Sequence, residues 1–497
     1  MTVYAKDDDR RLIPRWHWLQ SEPARLEQHF GGDQGAGEPD PALAALLEES
    51  LVDWVAQKGD VVAGEICSAA ILSGRLELAR DAAIALKAGS PIESGIYHVA
   101  AEVLGQATKG ESLGAEGIRV VIGRLRALLR DGARDPIRWT DLSRAFAIIG
   151  KLKSAKRAML VATDLASESR AIVRAASRLL IHVDEADRAH DVLMRSRRIV
   201  VDPWVMAAEI AVTNLMGRPS EYAKNARKVI KSGRYGDRDL AELRVALGSQ
   251  EIWFGNAKLG KRLLRDALVA PTENAIAQVA WFMRREYLAL GVFDGDSLGS
   301  AEADAWAKRQ RKEWADCLLA CDRWWSIEPF SSRPSELASY IASTVSGDPD
   351  RCVEYARRGL IANPESVVLW NNLAVGYAER GLVRQAVECW RRASALDRED
   401  AFRVTLQATR GLIAFREGRY AEGRKLYEDA VALARKEGKL EVMATLHLLR
   451  EEQRCGGAPT SLLAVAREAT KSPDVVVATM ATRLLSAEEL TRSPGGE

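Results

Sequence analysis

A small side chain returns along this sequence at a nearly constant interval. It falls at Ala79, Gly117, Ala155, Ala189, Ala223, Gly260, Cys317, Cys352, Ala386, Gly423 and Ser461. The successive gaps are 38, 38, 34, 34, 37, 57, 35, 34, 37 and 38 residues. A period of about 34 residues is too short for a self-sufficient domain and suits one pair of helices stacked on the next. Where two helix backbones approach most closely only a small side chain fits, and large residues a turn away fill the remaining space. Near residue 223 two registers are open, one on Ala223 and one three residues later on Ala226 with Ile230.

The stretches between these points support helices. Ala, Leu, Arg and Glu recur at helical spacing over about 12–15 residues, and runs of alternating β-branched residues are nearly absent. Short breaks separate the stretches at Ser73-Gly74, Gly150-Lys151, Gly217-Arg218-Pro219, Gly347-Asp348-Pro349, Arg380-Gly381 and Glu417-Gly418-Arg419. Glycine and proline at such intervals read as helix, tight turn, helix.

The clearest unit runs Trp370, Leu373, Ala374, Tyr377, Gly381, Ala386, Trp390 and Ala393, preceded by Asn363-Pro364. A second runs Trp139, Leu142, Ser143, Phe146, Gly150, Ala155, Met159 and Ala162, and a third Leu247, Gly248, Glu251, Gly255, Gly260, Leu264, Ala267 and Pro271. This pattern resembles the tetratricopeptide repeat over roughly residues 60–470. The resemblance implies an all-α, right-handed α-solenoid of about eleven helix-turn-helix repeats. It carries a non-repeat N-terminal arm and a C-terminal capping helix. The expected organisation is an arm and Gly-rich linker at 1–40, repeats at 41–289, an insertion at 290–313, repeats at 314–472, and a cap and tail at 473–497.

Composition narrows the function. Lys and Arg number 71 against 69 Asp and Glu, a net charge of +2. That balance speaks against a strongly basic nucleic-acid coat and an acidic tail protein. No apolar run reaches the about 18 residues of a membrane span, and the opening Met1-Thr-Val-Tyr-Ala-Lys lacks the apolar core of a secretion signal. Six dispersed cysteines form no CxxC pair. The expected location is the cytoplasm, with no membrane partner.

No complete catalytic set is visible, so no enzyme activity is expected. Gly255-Asn-Ala-Lys-Leu-Gly260-Lys261-Arg262 approaches a phosphate-binding loop, but Arg262 stands where a magnesium-holding Ser or Thr belongs. A strand should precede that loop, and residues 245–254 read as helix. Turn and close-packing duties explain both glycines. His182, Asp184, Glu185, Asp187 and His190 hold ligand-type side chains, but a turn at Asp184 keeps one helix from presenting both histidines. Cys317 and Cys321 are one helical turn apart with no further metal-binding partner nearby. Neither a metal nor a cofactor is expected.

In the family the first helices of the repeats line a concave groove that holds a peptide, an extended segment or a partner helix. Some members place an asparagine two residues after the Trp position to hydrogen-bond a ligand backbone. That position is Asn372 here, with Asn371 beside it, and the matching site at the Trp139 repeat is Asp141, with Arg144 on the same face. An amide offers both donor and acceptor to a peptide unit. Ala246, Ala338 and Thr409 stand there in other repeats, which breaks the ladder. Trp16 and Trp18 belong to no repeat and either dock a partner or cap the first repeat. Lys224, Arg227, Lys228 and Lys231, with Arg234 and Arg238, form the densest basic run. Asp237, Asp239 and Glu242 follow at once, so a solvated helix face is favoured over a phosphate grip. The expected function is a non-enzymatic scaffold or adaptor holding a protein or peptide in the groove. The alternative is a ligand-sensing regulatory subunit that switches a separate effector, with nucleic-acid binding the least favoured.

Overall fold

The computed structural model describes Met1, residues 41–284 apart from short stretches between 57 and 133, and residues 300–492. Trp16, Trp18, the 31–39 glycine segment, Phe293–Gly299 and the 493–497 tail lie outside the described residues. Among the described residues every regular element is a helix and no strand occurs. The chain divides into two compact units.

The N-terminal unit extends to residue 303 and includes residues 326–328. Its helices are α1 Pro41–Ala56, α2 Arg80–Gly89, α3 Ala115–Arg130, α4 Pro136–Ile148, α5 Leu152–Leu165, α6 Arg170–His182, α7 Ala186–Arg195, α8 Pro203–Leu215, α9 Ala223–Lys231, α10 Asp237–Phe254, α11 Ala257–Asp266 and α12 Glu273–Arg284. The C-terminal unit holds Met1, residues 304–325 and residues 329–497. The helices from there on are α13 Ala301–Gln310, α14 Trp314–Ile327, α15 Arg333–Ile341, α16 Pro349–Ala362, α17 Val367–Glu379, α18 Val383–Leu396, α19 Arg403–Arg416, α20 Tyr420–Glu437, α21 Glu441–Arg454, α22 Thr460–Ala469 and α23 Val475–Arg492.

Local sequence explains the helix ends. Asp135 precedes Pro136, and its carboxylate accepts from the amides of Ile137 and Arg138. Asp202 does the same before Pro203, accepting from Trp204 and Val205, and Asp348 accepts from Arg351 N before Pro349. Proline loses nothing at a position whose N–H has no helical partner, and the carboxylate satisfies the orphan donors. Most turns between paired helices close in one way. Gly381 takes φ +73°, and Leu382 N reaches back to Tyr377 O at 2.9 Å. That left-handed residue caps the exposed carbonyls of the outgoing helix. At Asp184 an L-residue adopts φ +61° in the same role, with Glu185 N bonded to Leu180 O at 2.8 Å. Asp tolerates the left-handed region better than most side chains.

Most of the small positions pack as expected. Ala79, Ala155, Ala189, Cys317, Cys352 and Ala386 are fully buried. Ser143 Oγ donates to Ala155 O at 2.8 Å, and Cys317 Sγ to Ala305 O at 3.2 Å, so these contacts stitch first helix to second. The structure places Ala226 rather than Ala223 at the tightest contact on α9, the former fully buried and the latter 9% exposed. Ser461 departs from the series because it is exposed, and Leu463 and Ala466 carry the packing of α22. Helix α13 buries Ala303, Ala305 and Trp306 and so packs in the manner of a first helix.

Gly260 shows how tight the approach is. A Cβ built there would sit 2.6 Å from Gly248 O and 2.7 Å from Ile252 Cγ1, so α10 and α11 touch backbone to backbone. Gly260→Ala is expected to destabilise the N-terminal unit by about 1–3 kcal/mol through overpacking, read from the urea midpoint. An unchanged midpoint would mean that the two helices slide apart without cost.

Candidate functional site

The first helices of the C-terminal unit, α15, α17, α19 and α21, lie side by side in order, with α16, α18, α20 and α22 behind them. A helix puts residues three, four and seven apart on one face. That rule aligns Asn372 with Glu379 on α17, Thr409 with Arg416 on α19, and His447 with Arg450, Glu451 and Arg454 on α21. Asn371, Asn372, Thr409, His447 and Glu451 are completely buried, and Arg450 is 5% exposed. Most of these buried groups are partnered, as buried polar side chains usually are, while neither ring nitrogen of His447 is hydrogen-bonded.

Asn372 Nδ2 donates to Ser339 Oγ on α15 at 2.9 Å, and Asn371 Nδ2 lies 3.4 Å from Asn372 Oδ1. Thr409 Oγ1 donates to Asn371 Oδ1 at 2.8 Å. The remaining groups of this row engage the chain's own first residue. The Met1 α-amine donates to Thr409 Oγ1 at 2.8 Å, and Asn371 Nδ2 donates to the Met1 carbonyl at 2.7 Å. One threonine and one asparagine therefore read both the nitrogen and the carbonyl oxygen of a single backbone residue. Met1 itself is 1% exposed.

A charged cluster lies along the same helices. Glu379 Oε1 is 2.6 Å from Arg450 Nη2, and its Oε2 is 2.6 Å from Arg454 Nη1 and 3.3 Å from Arg416 Nη2. Glu451 accepts from Arg416 Nη1 at 2.6 Å and Arg450 Nε at 2.9 Å. Three guanidinium groups against two carboxylates leave one net positive charge.

Burial, more than that field, sets the state of the amine. Burial pushes the Met1 amine down from 8.0 to about 4, and Arg450 pushes the same way against Glu379, Glu451 and Cys352. At neutral pH the amine is uncharged, and it donates one hydrogen bond without demanding an anion. Burial also lowers the His447 imidazole far below its ordinary value, helped by Arg450. Burial raises the Cys352 thiol to about 12, so it stays protonated.

The other sequence candidates fall elsewhere. Asp141 and Arg144 lie on α4 in the N-terminal unit. Arg144 is fully buried, with Nη2 donating to Ile327 O at 2.9 Å, and Asp141 is 8% exposed. Neither side chain is a solvated groove residue, because α4 turns this face into the packed interior. Burial lowers the Arg144 guanidinium to about 9, against Asp141 and Glu328. Buried ion pairs tie first helices of this unit, Arg170 on α6 with Asp202 at the start of α8 at 2.6 Å and Arg174 on α6 with Glu242 on α10 at 2.8 Å.

Lys224, Arg227, Lys228 and Lys231 all lie exposed on α9, and Arg227 pairs with Glu251. Glu185 stands just ahead of α7 and binds Lys156 at 2.7 Å and Arg188 at 3.0 Å rather than gathering with the histidines. Burial pushes His182 down to about 3, while His190 faces Glu209 at 3.4 Å. Among the described residues no group of three metal-binding side chains comes together. The segment before Gly255 is helix α10, not a strand. Cys317 and Cys321 are buried packing residues, and Cys455 is the exposed thiol of the six. No helix among the described residues is long and apolar enough to cross a membrane.

Sequence reasoning missed Met1, Ser339 and the Arg–Glu cluster, and set Thr409 aside as a break in the ladder. A signal for Thr409 did exist. It stands 37 residues after Asn372, one repeat on, and a hydroxyl both donates and accepts.

The fold and the small-residue register define the class: a helical-repeat protein of stacked, tetratricopeptide-like helix pairs. No protein-family profile matches the chain, and no curated protein matches it in sequence. Among solved structures, the chain is similar to yeast Tom70 at 12% identity and TM-score 0.29, covering 76% of this chain and 94% of that one. It is similar to the TPR domain of P58(IPK) at 14% identity and TM-score 0.25, covering 71% and 98%. It is also similar to the Cut9-Hcn1 hetero-tetramer of the APC/C at 10% identity and TM-score 0.33, covering 95% and 99%. Likeness at this level adds nothing to what the helix pairs themselves establish.

Proposed function

We propose that this protein is a non-enzymatic scaffold or adaptor that binds a peptide segment on the first helices of its C-terminal unit. The observation behind this reading is the bond from Asn371 Nδ2 to a main-chain carbonyl at 2.7 Å. An amide held in place by Asn372 and Ser339 is pre-organised for a peptide unit, which lowers the entropic cost of binding. The contact is independent of the ligand's side chains, so specificity comes from what flanks it.

Occupancy by a residue of the same chain favours the second reading, a regulatory subunit whose groove empties or fills as a ligand arrives. Both readings share the site. The test is a thermal-shift screen of synthetic peptides on the full chain, because a ligand that binds only the folded state raises the melting temperature. At least one peptide is expected to bind saturably and to lose tenfold or more in affinity with Asn371→Ala. Equal binding by wild type and variant would move the site elsewhere. Steeply salt-dependent binding of nucleic acid, lost with Lys224/Arg227/Lys228→Ala, would favour the basic face of α9 instead.

A further inference from the structure

We propose that the ligand of this groove is the amino end of a polypeptide, read at its α-amine and first carbonyl, and that Met1 is the occupant in cis. This rests on the peptide-binding reading above and names its ligand class. Three observations carry it.

The first is the hydrogen-bond ring. Met1 N donates to Thr409 Oγ1, Thr409 Oγ1 donates to Asn371 Oδ1, and Asn371 Nδ2 returns to Met1 O, at 2.8, 2.8 and 2.7 Å. The ring closes around one residue and uses every polar atom of the Asn371 amide and the Thr409 hydroxyl. The second is burial. Met1 is 1% exposed, so a chain continuing ahead of its nitrogen has no solvent-facing path at that point. An internal segment therefore cannot occupy this seat without displacing its walls.

The third is charge. Acceptors for a cationic ammonium would be Glu379 and Glu451, and both are already engaged by Arg416, Arg450 and Arg454. What remains for the amine is a hydroxyl oxygen, which suits a neutral NH₂ group. A lysine ammonium has the wrong charge for this seat, so the site discriminates against side-chain amines, which stay protonated at neutral pH. The chain's own Met1 is tethered and so competes at high effective concentration.

The test uses the full chain in two forms, one opening at Met1 and one carrying Gly-Ser-Gly-Ser ahead of it to vacate the seat. The probe is a labelled peptide, Met-Thr-Val-Tyr-Ala-Lys-Asp, with a free α-amine, compared with the same peptide preceded by Gly-Ser. The extended chain is expected to bind the free-amine peptide at least tenfold more tightly than the preceded one. The chain opening at Met1 should bind it at least tenfold more weakly than the extended chain. In the extended chain Thr409→Val should abolish the preference, and Thr409→Ser, which keeps the hydroxyl, should restore it. Equal affinity for the two peptides would overturn the inference and leave the peptide-binding reading standing. Failure of both peptides, while peptides from the thermal-shift screen still bind through Asn371, would do the same. Loss of all Asn371-dependent binding would remove the broader reading as well.

Discussion

Glu379→Ala is expected to destabilise the C-terminal unit by about 3–5 kcal/mol, the usual cost of breaking a buried ion pair from one side. The carboxylate ties α17 to α19 and α21 at once through Arg416, Arg450 and Arg454. Without it three guanidinium groups face the single carboxylate of Glu451. Arg450, 5% exposed, then has one anion in place of two. Glu379→Gln keeps the shape and loses the charge, so it should be nearly as costly. The double variant Glu379→Leu/Arg450→Met removes both charges and should recover a large part of the loss, since apolar groups of similar size replace buried pairs well. Urea denaturation of the single and double variants measures this coupling. A single-variant loss below about 1 kcal/mol would mean that solvent reaches the cluster and screens it.

The same carboxylate sets an acid limit. Burial pushes the Glu379 carboxyl up, and Arg450, Arg454 and Arg416 together overcome that and hold it at about 2, below its ordinary 4.5. A depressed acid stabilises the fold above its unfolded value and loses that contribution as pH falls toward the folded one. The contribution of this carboxylate should therefore stay intact down to about pH 4.5 and be lost between there and about pH 2.

Binding of an amino-terminal peptide should change about a hundredfold between pH 7.5 and 5.5, and tighter binding belongs to the higher pH. The amine falls from 8.0 to about 4 on entering the groove, so docking releases a proton wherever the free amine is charged. Each pH unit below about 8 costs about tenfold in affinity until about pH 4, where the docked amine itself takes up a proton. The groups acting on the amine are Glu379 on α17, Arg450 and Glu451 on α21 and Cys352 on α16, with His447 beside it. Arg454 and Arg483 on α23 act on His447, and Arg416 on α19 pairs with Glu379 and Glu451. Across this window Cys352 stays a thiol and Glu379 stays ionised, and burial favours the neutral form of His447. Fluorescence anisotropy of the labelled peptide on the extended chain reads the slope. A flat profile would show that the amine docks as an ammonium and that the charge argument fails.

The helices and their order were legible because they rest on local chemistry. Asp135-Pro136 and Asp202-Pro203 announce helix starts in adjacent residues, and Gly381 announces a stop. The small positions at Ala155, Cys352 and Ala386 follow from the closest approach of paired helices, a demand that recurs with the period. Where two registers competed, at Ala223 and Ala226, both residues are small and both are buried. Three residues along a helix keep the same face, so only packing depth separated them.

The groove was legible in part. Asn371 and Asn372 stand out because the resemblance places an amide two residues after the Trp position. Asp141 and Arg144 satisfied the same spacing rule, yet Arg144 is wholly enclosed and bonded to Ile327 O. Register fixes which face of a helix a residue takes, and not how deeply the neighbouring helix covers it. Thr409 and Met1 were missed for a related reason: Met1 is 408 residues from the threonine that binds its amine.

The sequence by itself determined an all-helical chain of paired helices, their turns, their caps and most of the tight contacts between them, because each depends on residues within one or two repeats. Tertiary structure alone decided which first-helix polar groups partner one another, that the Glu379–Arg416–Glu451 cluster holds three helices together, and that Asn371 and Thr409 close around the amine and carbonyl of Met1. Those contacts join positions tens to hundreds of residues apart, and their strength comes from exclusion of water, which no local spacing encodes.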